Sequence, residues 1–188
     1  MGMKEFLLAL VCLTLPSLAG AQNVLSGNYS ADLVTINMGR KSTSKVYLGD
    51  GKLRTEVSMG PVQVVTITRL DEKVVYILLP VQKMFVEKPL QEADGLLAYV
   101  SDKNTTRELV GTEPIKNQPC DKYKMALRDK VFYVWINKST QIPMQMLSVD
   151  NKTRTEWDNV QIGPQPTDLF KPPGDFQKFT SASEIQKQ

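Results

Sequence analysis

Residues 46–59, VYLGDGKLRTEVSM, decide the fold. Leu53, Thr55, Val57 and Met59 alternate with Lys52, Arg54, Glu56 and Ser58, and a period of two marks a strand with one wet face. Asp50-Gly51 precedes it, a dipeptide suited to a tight primed turn because both central residues take positive φ. With 46–49 ahead of the turn, the stretch predicts a β-hairpin.

Working outward, apolar alternation places further strands at 27–36, 62–68, 73–79 and 83–88, separated by turn residues at Gly60-Pro61, Leu70-Asp71-Glu72 and Pro80-Val81-Gln82. Short loops between neighbouring strands imply an antiparallel meander. Between 89 and 104 the spacing changes: Ala93, Leu96, Leu97 and Val100 recur at three and four residues, which predicts the one helix of the chain. Strand patterns resume at 108–111, 122–128, 131–136, 144–149 and 153–162. From Gly163 the chain is rich in proline, and Phe170 and Phe176 flank Pro172-Pro173-Gly174. Consecutive prolines hold an extended path, so the two aromatics are expected to pin a C-terminal arm to the strands. Residues 180–188 read as a disordered polar tail.

About ten strands with one helix bury more than a flat sheet needs, since 74–79 is apolar on both faces and must be covered on both. The expected fold is mainly β: a curved antiparallel meander forming a half-open barrel, with the helix as lid or plug. A two-sheet sandwich fits less well, because it needs crossing connections longer than these loops.

The first residues read as a leader. Lys4 gives a charged start, residues 6–15 an apolar run broken only by Thr14, and Ala19-Gly20-Ala21 a small-residue cleavage signal. The run is about half the roughly 20 residues that a membrane span requires. Cleavage after Ala21 would leave 167 of the 188 residues as a single β domain over 22–179, without a transmembrane anchor.

Composition excludes several chemistries. The chain contains no histidine, which removes the commonest general base and metal ligand near neutral pH. No Gly-rich phosphate loop, Cys-x-x-Cys or calcium loop occurs, so no cofactor or metal is expected. Asp71 and Glu72 are adjacent and read as turn residues rather than a catalytic pair. A net charge of +3, with basic residues scattered singly, predicts no nucleic-acid footprint. Cys12 lies in the leader, so Cys120 stands alone and no internal disulfide is expected; its thiol is either buried or paired with an outside partner.

The segments 49–54 (GDGKLR), 117–123 (NQPCDKY), 135–143 (WINKSTQIP) and 168–176 (DLFKPPGDF) occur in an order and spacing that together resemble the periplasmic lipoprotein-carrier and lipoprotein-sorting superfamily typified by LolA, LolB and LppX. The resemblance covers most of residues 27–179. It implies a half-barrel with helices across its concave mouth, a periplasmic location, no catalysis, and a hydrophobic cavity for a lipid, a lipoprotein acyl chain or another apolar ligand.

Candidate cavity residues are Met59, Met84, Phe85, Leu97, Val100, Met125, Tyr133, Trp135, Met144 and Met146. Methionine is flexible and polarizable and suits irregular apolar ligands; Leu97 and Val100 would form the ligand face of the lid. The same residues serve equally as ordinary core, because cavity and core look alike in a hydrophobic pattern. The functional expectation is therefore a non-catalytic carrier or chaperone of an apolar ligand. The alternative is an envelope protein-interaction or sensor module with a filled interior.

Overall fold

In the computed structural model, which describes residues 27–91, 106–127 and 130–179, the predicted hairpin forms from β2 (Arg40–Gly49) and β3 (Lys52–Met59). Asp50 and Gly51 between them have φ of 50° and 73°. Two further two-residue turns of the same kind went unread in the sequence. Met38-Gly39 joins β1 (Tyr29–Asn37) to β2, and Lys116-Asn117 joins β7 (Thr106–Ile115) to β8 (Gln118–Leu127), all four residues with positive φ. The strands there run longer than expected, starting at 40 instead of 46 and ending at 115 instead of 111. Residues 40–43 and 112–114 are exposed on both sides, so no apolar alternation marks them. The other strands are β4 (Val62–Arg69), β5 (Val74–Leu79), β6 (Met84–Pro89), β9 (Lys130–Asn137), β10 (Pro143–Ser148), β11 (Thr153–Ile162) and the short β12 (Gln177–Lys178).

The twelve strands form one sheet in the order β12-β6-β5-β4-β3-β2-β1-β11-β10-β9-β8-β7. This corrects the single meander. A continuous meander would set β7 beside β6, whereas two meanders, β1–β6 and β7–β11, meet where β1 pairs with β11. The first strand thus lies in the middle, and β6 and β7 end up far apart. All pairings are antiparallel except that of β12, which adds parallel to β6. A sheet this long curls under the ordinary strand twist, but its edge strands β12 and β7 do not pair with each other, so it is not closed. The described residues contain no α-helix, only two short 3₁₀ turns at Pro80–Gln82 and Thr167–Phe170. Most of the segment expected to form the lid helix, including Leu97 and Val100, lies outside the described residues, as do the leader and the polar tail.

Register sorts the side chains onto two faces. Directly opposed pairs Leu33↔Trp157, Ala31↔Val46, Leu48↔Leu53 and Met146↔Val134 share one face, designated the inner face, and the opposite one is the outer face. Tyr29, Ala31, Leu33, Val46, Leu48, Leu53, Ile142 and Trp157 form one buried cluster, and Met125, Phe132, Val134 and Ile136 form another. On the outer face Val65, Ile67 and Leu78 are buried by Phe170 from the C-terminal arm, with Leu169 and Phe176 packed beside them. The arm is held by main-chain bonds too: Arg54 Nη1 donates to the Leu169 carbonyl at 3.0 Å and Arg69 Nη1 to the Phe170 carbonyl at 3.2 Å. Gly49 leaves room for the ring, since a Cβ there would sit 3.4 Å from Phe170 Cε2. The two phenylalanines therefore hold the arm as the sequence predicts.

Candidate functional site: the inner face

The inner face changes character across the sheet. On β1, β2 and β9 to β11 most of its apolar side chains are buried, while across β3 to β6 Val57, Val64, Ile77, Leu79, Met84 and Val86 are only partly buried. Pairings Val57↔Val64, Ile77↔Val86 and Leu79↔Met84 place these six side by side. They form a continuous apolar strip, because period-two alternation sends every second residue of each strand to one side. The polar members of the face nearby are mostly hydroxyls: Thr35 and Thr155 lie across from each other with their Oγ1 atoms 3.0 Å apart, and Thr55 faces Thr66.

Two aromatic polar groups sit in the buried part of this face. Burial pushes the Tyr29 hydroxyl up to about 12, partly opposed by its contact with the Trp157 indole. Beyond that contact, the buried Trp157 Nε1 has no hydrogen-bond partner. At the far side of the face, the Arg107 guanidinium stacks 3.7 Å over the Tyr123 ring.

The ten residues singled out in the sequence do not line one surface. Met84, Met125 and Met146 belong to the inner face, and Met59, described by its backbone only, occupies an inner-face register position opposite Val62. Phe85, Tyr133 and Trp135 belong to the outer face. Phe85 stacks edge-on against Tyr76 with ring centroids 6.0 Å apart and joins the cluster under the C-terminal arm. Trp135, Met144 and Cys120 are buried together, with Tyr133 packed beside them. Met144 reaches the outer cluster because the β9–β10 register slips between Pro143 and Gln145. The strip residues Val57, Val64, Ile77, Leu79 and Val86 were not singled out. Val57 was legible as part of the dry side of 52–59, and Ile77 and Leu79 only in that 74–79 is apolar on both faces; which half faces inward depends on a register the sequence does not state.

The titratable groups form ion pairs away from the strip. Asp71 and Glu72 are turn residues as expected, yet both bind Arg69, at 2.7 Å and 2.5 Å. The hydrogen bond from Arg69 lowers Asp71 to about 2. Lys116 pairs with Glu156 and Asp158. Lys122 bonds Glu113 at 2.9 Å and lies over the Tyr133 and Trp135 rings, and its bond, with that of the Trp135 indole, holds Glu113 below the usual carboxylate range. Cys120 is fully buried and donates to the Gln118 carbonyl at 3.3 Å, with burial pushing its thiol up. Among the described residues no group of three or more Cys, Asp or Glu is placed to hold a metal ion, and no helix is long and apolar enough to cross a membrane.

Residues 31–141, more than half of the chain, match the sequence profile of a family described as Domain of unknown function (DUF4412). No curated protein matches the sequence. Among solved structures, an uncharacterized conserved protein from Thermus thermophilus superposes with a TM-score of 0.60 at 15% identity, over 85% of this chain and 93% of that one. PNGF-II superposes with a TM-score of 0.53 at 8% identity, over 86% of this chain and 33% of that one. MucB gives a TM-score of 0.50 at 17% identity, over 84% of this chain and 61% of that one. The chain thus spans about a third of PNGF-II and three-fifths of MucB, and at these identities the likeness is one of fold. A LolA superfamily protein from Nitrosomonas europaea superposes with a TM-score of 0.36 at 8% identity, over 77% of this chain and 90% of that one.

Proposed function

The chain belongs to the DUF4412 family, and from that premise we propose that it is a non-catalytic carrier of an apolar or amphiphilic ligand, held on the inner face of its curved sheet. The observation that carries this reading is the strip Val57, Val64, Ile77, Leu79, Met84 and Val86, contiguous, apolar and partly open. A strip of this kind lowers its free energy by covering about 25 cal/mol per Å² of apolar surface removed from water. Methionines 84, 125 and 146 lie on the same face, where a flexible side chain adapts to an irregular chain. The half-buried hydroxyls of Thr55 and Thr66 beside the strip suit an amphiphile better than a pure hydrocarbon. In this reading the leader delivers the protein to the periplasm and is removed after Ala21.

The test is displacement of a fluorescent fatty-acid probe. Wild type is expected to bind the probe, while Val64→Glu and Ile77→Glu, each checked by thermal melt for an intact fold, abolish binding. Failure of the wild type to bind it, or full binding by both folded variants, overturns the reading.

One observation favours a second reading, a protein-interaction module. Edge strand β7 exposes Leu109 at 57% and Val110 at 43%, and an exposed edge strand accepts an added strand. Peptide capture that survives the inner-face variants would support it.

A further inference from the structure

Hairpin turns alternate between the two ends of an antiparallel sheet, and the two rims of this sheet differ. One rim carries the β1–β2, β3–β4, β5–β6 and β10–β11 turns, as the pairings Asn37↔Arg40, Met59↔Val62, Leu79↔Met84 and Asn37↔Thr153 require, and beyond them the β8–β9 turn, whose residues 128–129 lie outside the described ones. In the first four turns or directly after them stand Met38, Val62, Val81 and Val149, exposed by 75%, 47%, 71% and 48%. Turn tips are ordinarily polar. The opposite rim follows that rule: its turns are Asp50-Gly51, the stretch with Asp71, Glu72 and Lys73, Lys116-Asn117, and Lys138 to Gln141, and its one strongly exposed large apolar residue is Ile162. Single exposed apolar residues need no explanation. Four on successive turns of one rim do.

Strand order sets their spacing. The β5–β6, β3–β4, β1–β2 and β10–β11 turns follow one another every second strand, so neighbouring tips are about 10 Å apart and the row spans roughly 30 Å. Next to Met38, the exposed side chains of Arg40 and Lys41 have no acidic partner among the described residues. Lys83 and Lys152 stand on the same rim, paired with Asp175 and Asp150.

We propose that this rim docks onto the surface of an anionic lipid bilayer, the four turn tips entering the interface and Arg40 and Lys41 meeting lipid headgroups. A protein partner is matched by a contiguous patch with an apolar centre. Isolated apolar tips separated by turn backbone and flanked by cations instead match a fluid interface, which takes in side chains one at a time and attracts basic groups. This assignment does not depend on whether the inner face holds a ligand.

The experiment is flotation of protein recovered from cells expressing the full sequence, all variants sharing one N terminus by intact mass. Phosphatidylethanolamine–phosphatidylglycerol vesicles are compared with phosphatidylcholine vesicles. Wild type is expected to float with the anionic vesicles. Arg40→Gln with Lys41→Gln lowers the partition by about thirtyfold at low salt, Met38→Asp with Val81→Asp nearly abolishes it, and Ile162→Asp on the other rim leaves it unchanged. No flotation of the wild type, or equal loss from Ile162→Asp, overturns the proposal. So does a change of oligomeric state by light scattering in the tip variants with flotation unaltered, which would make the rim a contact between copies. Probe binding measured on the same samples separates the two proposals: the tip variants keep it, and Val64→Glu loses it while still floating.

Discussion

Phe170 is the residue whose removal best tests the outer half of the architecture. It is 3% exposed and packs on Val65, Ile67 and Leu78, and it brings the arm carbonyls within reach of Arg54 and Arg69. Truncation of a buried phenylalanine costs about 3–5 kcal/mol, which for a domain of this size lowers Tm by roughly 6–20 °C. Gly49→Ala probes the same contact from the other side. Its Cβ would meet Phe170 Cε2 and Asn28 Oδ1, each at 3.4 Å, an overpacking worth about 1 kcal/mol. Removing the ring relieves the Phe170 contact and leaves that with Asn28, so Gly49→Ala is expected to cost about half as much in the Phe170→Ala background, a coupling of about 0.5 kcal/mol. Urea denaturation followed by tryptophan fluorescence measures all four corners of the cycle, and limited proteolysis reports release of the arm after Gly163. A loss below about 1 kcal/mol for Phe170→Ala, with the arm still protected, would refute this account of the arm.

Three further outcomes follow from the electrostatics. Tyr29 is raised from 10.0 to about 12 by burial, so folding favours its neutral form: that stability is fully present below pH 10 and is lost as pH rises toward 12. An ultraviolet titration of native protein should show a tyrosine ionising near 12 that disappears in Tyr29→Phe; unchanged titration of the variant would count against it. Asp71 is depressed from 3.8 to about 2 by Arg69, so its contribution is present above about pH 4 and lost as pH falls toward 2. Its carboxyl is 47% exposed, so that contribution is small and screened by salt; NMR titration with a midpoint near 4 would contradict the pairing. Cys120 should resist a thiol reagent in the native state at pH 8 and react fully in denaturant, whereas rapid native labelling would mean that the β8–β10 cluster is open.

Strand identity was legible where one face is wet and the other dry. Lys52–Met59 and Thr153–Ile162 have the limits that their sequence pattern gives. Legibility failed where both faces are exposed, as in 40–43 and 112–114, because alternation is a burial signal and those residues bury nothing. It failed again over long range. Nothing local in Tyr29–Asn37 or Thr153–Ile162 states that these strands pair, yet that pairing moves β1 to the centre and sends β6 and β7 apart. The candidate site suffered most, since a shift of one residue exchanges the faces of a strand. Met84 and Phe85 are neighbours in sequence and lie on opposite sides of the sheet.

The central claim is that the inner face carries an amphiphile. The most direct measurement is native mass spectrometry, with lipid extraction, of the protein purified from the compartment to which its own cell delivers it. The account predicts a bound amphiphile in stoichiometric amount, lost from Ile77→Glu while that variant stays folded. A wild-type protein that is consistently empty and takes up no amphiphile when one is supplied would contradict it.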